Sequence, residues 1–531
     1  MRTLRWPQLI LVAALVSGLL AVRPGLGWAA EHTKGTLVLG TDSVPRHFNG
    51  AVQSGSATAL ASTQIFASPL RFDANWNPQP YLAESWKFSE DGLTLTLKLV
   101  KDAVFHDGKP VTSDDVAFTI KTIKENHPFQ TMLAAVDSVE TPDPLTAVIH
   151  LSKPHPAILL AMCPGLMPII PKHIYNTGGN IKEHPANVKP IGSGPFKLVE
   201  YVPGEYYTLE KFDRFFIPDR PKLDRIVVRI IGDVNSMVLS LENNELDAIP
   251  QTDDIPAVQR LEKNPQLLVT NKGFEGIGAI NWLAFNTKKA PLDDVRVRRA
   301  IAWAVDRDYI VGTLMLGKVE PSYAPISPGS PLATEDVEQY KVDLDKANAL
   351  LDEAGHPKND KGERFSLQID FEPDSEFLQH NVAEYLRSQL KKIGINLTVR
   401  SSADFPAWAN RISNYDFDLT MDTVYNWGDP VIGVGRTYIS TNIRPGVMWS
   451  NTQQYVNPKV DELLNAAAVE MDQVKRKALY LEFQKLVVDE VPIYFINVVP
   501  YFGIWRQGLE NIPQSIWGPL SPLDEVHWTG E

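Results

Sequence analysis

The 531-residue chain holds a single cysteine, Cys163. One thiol excludes an intrachain disulfide and any thiolate metal cage. No stretch reads HExxH, GxSxG or GxxxxGK[ST], and there is no EF-hand loop. The signatures of metalloproteases, serine hydrolases, nucleotide-binding loops and calcium sites are therefore missing. "GFEGIGAI" supplies Gly276 and Gly278 but not the third glycine of a dinucleotide fingerprint. The eleven histidines are scattered, and no pair sits four apart beside an acid on an expected helix. Positive charge is also in short supply: 51 Lys and Arg face 64 Asp and Glu, for a formal net charge of -13. That balance argues against nucleic acid as a partner, because phosphate binding needs a basic face. Beyond the first thirty residues no segment is apolar for the length of a membrane helix, so the chain is not expected to span a membrane.

What is present suits a folded protein of more than one lobe: 44% hydrophobic and 22% charged residues over a long chain. Arg2 and Arg5 precede an apolar run from Leu9 to Val22, and Gly27-Trp28-Ala29 follows with small residues where a signal peptidase reads. Residues 1–29 are expected to be a signal peptide, with cleavage after Ala29 or Ala30; the alternative is a retained anchor. Removal takes three arginines and no acid, so -13 becomes -16. No cysteine follows the run, which excludes an N-terminal lipid anchor. Export to a periplasm as a freely soluble protein follows, with Cys163 as a small buried hydrophobe.

Hydrophobic period organises the rest. "LTLTLKL" sets Leu93, Leu95, Leu97 and Leu99 on one face, a half-buried strand. "TLVLG", "YYTLEKF" and "IVVRII" are further strands of a β-rich first half. Later, "VRVRRAIAWAVDRDYI" places Val297, Ala300, Ile301, Ala304 and Val305 on one helical face. "DKANALLDEAGHP" and "FLQHNVAEYLRSQLKKIG" read as helices stopped by Gly355 and Gly394, "INLTV" as a strand, and 457–490 as a helix pair. "VPIYFINVVPYFGIW" returns to strand character. This order predicts a discontinuous first lobe with an α/β second lobe inserted.

One cluster invites a catalytic reading: His106, Asp107, Ser113, Asp114 and Asp115 in "FHDGKPVTSDDVAFTI". A structural reading is stronger. Asp107-Gly108 makes a turn, and Thr112-x-x-Asp115 matches a capping box at a helix start.

The longer stretch "YLAESWKFSEDGLTLTLKLVKDAVFHDGKPVTSDDVAFTI" resembles the signature region of the oligopeptide/nickel-type solute-binding proteins of ABC importers, family 5. "PIGSGPFKL", "FNTKKAPLDDVRVRRAIAWAVDRDYIV" and "LQHNVAEYLRSQLKKIGINLTV" are similar to three more landmarks of that family, in the same order. The resemblance implies an α/β two-lobed periplasmic-binding-protein fold (type II, cluster C-like) with two hinge strands and an extra subdomain on lobe 1. The expected division is 30–280 for lobe 1 with its subdomain, 281–494 for lobe 2 and 495–531 for the return to lobe 1. The expected hinges are 279–287 and 492–500. It implies a monomer that closes on a peptide or peptide-like solute and delivers it to an inner-membrane ABC permease, with no cofactor, no bound metal and no catalysis. A non-peptide solute (an opine, an oligosaccharide, a nickel chelate or haem) is the alternative within the scaffold. A secreted carboxylate hydrolase using residues such as Asp429 and Glu372 is the alternative outside it.

The same resemblance supplies the candidate ligand-binding residues. Peptide-binding members hold the ligand amine with an acid just before a "GDP"-like turn. Here "NWGDPVIGVG" puts Asn426 at that position, with Asp429 three residues on, either substituting for it or bracing the turn. In some dipeptide binders an arginine in the loop after a second-lobe strand holds the carboxylate; here "DFEPDSEF" has none. Ser54 and Ser56 belong to a first-lobe loop that often lines the pocket, or to an ordinary turn. Trp408, Tyr425 and Trp427 are candidate aromatic walls, with core packing as the other reading. Arg436 is either an anion holder or a bridge to Asp429. Gly276 is a place where a ligand backbone could approach closely.

Overall fold

The computed structural model describes residues 35–373 and 376–530. The expected signal peptide lies outside the described residues. Two large sheets define two lobes. The first has seven strands in the order Leu267–Thr270, Phe502–Arg506, Ala248–Thr252, Thr36–Thr41, Arg225–Ile230, Tyr206–Lys211, Phe196–Val202. Thr36–Thr41 runs parallel to both of its neighbours, and the remaining pairs are antiparallel. The second has five strands in the order Ile395–Arg400, Phe365–Asp370, Leu419–Tyr425, Ala279–Phe285, Ile493–Val498, the first three parallel. Helices Val295–Ala304, Leu344–Glu353, Asn381–Lys391, Pro458–Ala467 and Gln473–Glu490 accompany the second sheet. A separate antiparallel sheet of four strands, Ala83–Phe88, Thr94–Leu99, Thr146–Leu151 and Val136–Asp143, stands apart from both.

Sequence period accounts for much of this. Leu95, Leu97 and Leu99 are buried while Lys98 between them is exposed. Val297, Ala300, Ile301, Ala304 and Val305 have no exposed surface. Gly355 and Gly394 follow their helices at φ +85° and +84°, the left-handed geometry that ends a helix without a Cβ clash. Cys163 is buried, and burial pushes its thiol up to about 12.

The expected hinges are neighbouring antiparallel strands of the second sheet, with Asn281 opposite Asn497. The change of sheet falls beside them, at 271–278 outward and 499–501 on return. Because Ile493–Val498 pairs with Ala279–Phe285, the chain re-enters the first sheet after Val498 rather than at 495.

Candidate functional site

The strand Leu419–Tyr425, parallel to Phe365–Asp370, ends at the junction of the lobes, and the carboxyl ends of such strands are where open α/β sheets receive ligands. Past that edge an aromatic stack joins the two sides. Tyr425 and Trp427 lie 5.7 Å apart, Trp427 and Trp517 6.4 Å, and Trp427 and Phe129 5.2 Å between ring centroids. The Tyr425 hydroxyl is 3.2 Å from that of Tyr501, just before the first-sheet strand Phe502–Arg506. Trp76 donates its Nε1–H to the carbonyl of Gly329 at 3.0 Å, a further link between the sides. The lobes are therefore closed on each other.

Several expected contacts are used by the protein itself. Asp429 is not turned to the junction. Its two oxygens accept from Arg476 Nη1 and Nη2, both at 2.8 Å, and one also accepts the N–H of Val431 at 2.9 Å. The pair is buried, and Asp429 holds Arg476 charged against the cost of burial. Arg436 therefore does not bridge to Asp429. Asn426 Oδ1 accepts the N–H of Ser327 at 2.7 Å, and its own N–H goes to the carbonyls of Ile277 and Gly278. Its side chain ties the strand end to the 325–327 segment. The close approach at Gly276 comes from the chain's own C-terminal segment: its N–H bonds to the Ile516 carbonyl, and a Cβ would sit 2.8 Å from that oxygen. Trp408 has no exposed surface and packs with Ile412 and Phe417 in a satellite core, so it is not a pocket wall. For Asp429, Asn426 and Gly276 a neighbour distant in sequence takes up the group, whereas Trp408 is claimed mainly by nearby residues of its own segment.

Other candidates keep free capacity. Arg436 donates its Nε–H to the Gly433 carbonyl at 3.1 Å, and its guanidinium lies 5.7 Å from the centre of the Phe129 ring. It forms no ion pair with a described carboxylate, and burial lowers it to about 10. Asp422, inside the strand Leu419–Tyr425, accepts the N–H of Thr423, and burial together with nearby Glu372 pushes it well above the usual carboxylate range. Across the junction, Ser56 lines a cavity of about 210 Å³ with Asp42, Gln251, Asp253 and Tyr501. Asp253 is exposed there, beside the acidic Asp42 and Asp254. Tyr501 is raised well above its usual value by burial, then by Tyr425 and Asp253. Ser54 is half-buried and is not among those walls. The sequence reading missed Asp253, Tyr501, Phe129, Trp517 and Asp422. Only Asp422 carried a signal, an acid inside the otherwise apolar "LTMDTVY".

The His106–Asp115 cluster is structural. Thr112 and Asp115 form the capping box, with the Thr112 N–H donating to Asp115 Oδ2 at 2.9 Å. Asp107 pairs with His173 at 2.7 Å, Asp114 with Lys172 at 3.0 Å, and Ser113 donates to the Asp143 carbonyl. Among the described residues no group of three His, Cys, Asp or Glu is placed to hold a metal ion, and no helix is long and apolar enough to cross a membrane.

Two lobes joined by paired strands and closed over a polar and aromatic junction define a solute-binding protein. The model for the bacterial extracellular solute-binding proteins, family 5, matches residues 77–444, and the chain belongs to that family. It is 28% identical over 483 residues to the oligopeptide-binding protein AppA of Bacillus subtilis, covering 87% of this chain and 86% of that one. The crystal structure of AppA in complex with a nonapeptide superposes with a TM-score of 0.76 at 26% identity, over 93% of this chain and 99% of the other. NikZ from Campylobacter jejuni in complex with Ni(L-His) superposes at 0.79 with 25% identity, over 93% and 97%.

Proposed function

We propose that this protein is the exported receptor of an ABC importer, capturing a peptide or peptide-like solute between its lobes in the periplasm and handing it, as a monomer, to an inner-membrane permease. The observation that carries the reading is the lobe junction. Trp427, Phe129 and Tyr425 give flat apolar walls there, and the two terminal nitrogens of Arg436 pair with no carboxylate among the described residues. A half-buried cation without an ion pair gains from an anionic partner, and a ligand that reaches it only in the closed state would stabilise that state. Tyr425, Trp427, Arg436 and Ser56 are the expected contacts from the sequence that the geometry favours. AppA was crystallised with a nonapeptide and NikZ with Ni(L-His). The peptide reading is preferred here on the aromatic walls; no group of three His, Cys, Asp or Glu among the described residues is placed to hold a metal ion directly.

The hydrolase alternative needs two free carboxylates, and Asp429 is committed to Arg476. Native mass spectrometry of protein purified without denaturation is expected to show a co-purified solute. A panel of peptides, opines, oligosaccharides and metal chelates is expected to contain compounds that raise the melting temperature and are released unchanged. No response across the panel together with an empty protein would overturn the receptor reading, and turnover of a bound compound would favour the hydrolase.

A further inference from the structure

The subdomain built on the four-stranded sheet holds a cavity of its own, of about 840 Å³, within the range of small-molecule sites. Its first wall is the helix Ser113–Asn126, its second the start of the strand Val136–Asp143, and its third the segment 172–181. Phe129, Tyr425, Trp427 and Arg436, which meet at the lobe junction, are not among its walls. The wall chemistry narrows what fits there. Every cation is already answered: Lys172 pairs with Asp114 at 3.0 Å, Lys121 stands 4.0 Å from Glu125, and Lys124 donates to the Val136 carbonyl. These three lysines are balanced by Asp114, Glu125 and Asp137, and a cleft draws ions in only when one sign of charge lines it. An added peptide strand is disfavoured as well. Val136–Asp143 is the edge of its sheet, but its register breaks between Val136 and Ser138 and again between Glu140 and Asp143. Pro142 lies inside it, and Lys124 takes the Val136 carbonyl. Such bulges and prolines blunt an edge against pairing.

Hydroxyl and amide groups remain. Thr122 is 4% exposed and lines the cavity, and its hydroxyl has no hydrogen-bond partner among the described residues. Asn126 and Asn180 each commit one side-chain atom to backbone, at Thr122 and Lys182, and keep the other. Asn176 lines the same space with its amide uncommitted among the described residues. A side-chain amide sets a donor beside an acceptor, and so does a pair of neighbouring hydroxyls. Half-buried Phe118 adds a flat apolar face on which the C–H groups of a sugar ring can lie. Gly178 and Gly179 keep the third wall open, since a Cβ on either would meet nothing within 4 Å. We propose that this cavity is a second ligand site, on the subdomain and separate from the lobe junction, for a neutral hydroxyl-rich molecule: a saccharide of a few rings, free or as part of a glycan polymer. A ligand hydroxyl would pair the buried Thr122 oxygen, which otherwise forgoes a bond. The site does not depend on what the junction binds.

The test titrates the full mature protein by calorimetry with neutral tri- and tetrasaccharides of hexose and of N-acetylhexosamine, and cosediments it with insoluble cellulose and chitin. At least one saccharide is expected to bind, and hydrogen exchange in its presence should slow in 113–126, 136–139 and 172–181. Thr122→Val keeps the side-chain shape and removes the hydroxyl. It should bind that saccharide about two- to tenfold more weakly, the range of one neutral hydrogen bond. Asn176→Ala, a change at an exposed position, should weaken binding in the same direction. The exchange footprint needs no mutation, so a variant that folds poorly does not spoil the test. Binding to the soluble saccharides alone would assign a free sugar, and cosedimentation as well would assign a polymer; both support the site. If no saccharide binds at millimolar concentration, if protection falls only on the lobe junction, or if both variants bind as wild type does, the inference fails. The receptor reading stands in each of those cases, because it is read from the co-purified solute and the melting-temperature panel.

Discussion

Asn426 and Asp429 sit three residues apart, and the protein consumes both side chains at different energetic cost. Asp429→Asn leaves the Arg476 guanidinium buried beside a neutral group. Breaking one side of a buried pair costs about 3–5 kcal/mol. Asn426→Ala strands the buried Ser327 N–H, which costs about 1–3 kcal/mol. Urea denaturation is expected to rank the variants in that order, with any loss of ligand affinity following the loss of stability. An unchanged midpoint for Asp429→Asn would mean the ion pair does not form in solution. From the sequence, Asn426→Ala would be expected to weaken binding more than Asp429→Ala, through direct loss of a ligand contact. Half of Asp429 was legible: an Asp before Pro that braces a turn does accept the N–H two residues on. The other half was not. Arg476 is one cation among several on the helix Gln473–Glu490, 47 positions away, and no local pattern singles it out.

At the scale of elements, the sequence was most readable where one physical rule decides the outcome. Leucines at period two made a strand, glycines ended helices, and Thr112 with Asp115 made a cap. It was least readable where tertiary packing decides, as with the π-helical turn Glu376–His380 before Asn381–Lys391, or the satellite core that claims Trp408. The turn at His127 shows what such packing adds. His127 Nδ1 accepts the N–H of Phe129 at 3.0 Å, which requires that nitrogen to be unprotonated. Burial, assisted by the nearby charge of Lys182, lowers the ring to about 4. The unfolded chain binds a proton near 6.5 and the folded one does not until about 4. Stability from this group is therefore fully present above about 6.5 and lost as pH falls toward 4, amounting to roughly 3 kcal/mol. Melting temperatures at pH 7.5 and pH 4.5 are expected to differ less in His127→Asn, whose amide oxygen can accept the same N–H without titrating. His106, also lowered to about 4 by burial, keeps part of the slope in that variant. An identical pH dependence in variant and wild type would show that His127 is not a source of it.

For the whole molecule, the turn at His127 matters because it presents Phe129 to Trp427 across the lobe junction. Trp427 holds a left-handed backbone, φ +50°, which disfavours a side chain of this size. Its ring meets Phe129 and Trp517, and the adjacent Gly428 sits where a Cβ would come within 3.3 Å of both Leu160 and Trp517. These contacts cross between lobes and vanish when the lobes part, so they favour the closed state without holding either lobe folded. Burying an aromatic ring and stacking it contributes about 2–4 kcal/mol. If about 2 kcal/mol of that is specific to closure, Trp427→Ala should weaken apparent affinity roughly thirtyfold, since each 1.4 kcal/mol is a factor of ten. Small-angle X-ray scattering of unliganded Trp427→Ala is expected to show a larger radius of gyration than wild type, with saturating ligand restoring the compact value. Calorimetry with the same ligand should show the affinity loss, while the denaturation midpoint without ligand stays near wild type. Weaker binding with an unchanged radius of gyration would place Trp427 in ligand contact alone; unchanged binding would remove it from both closure and recognition.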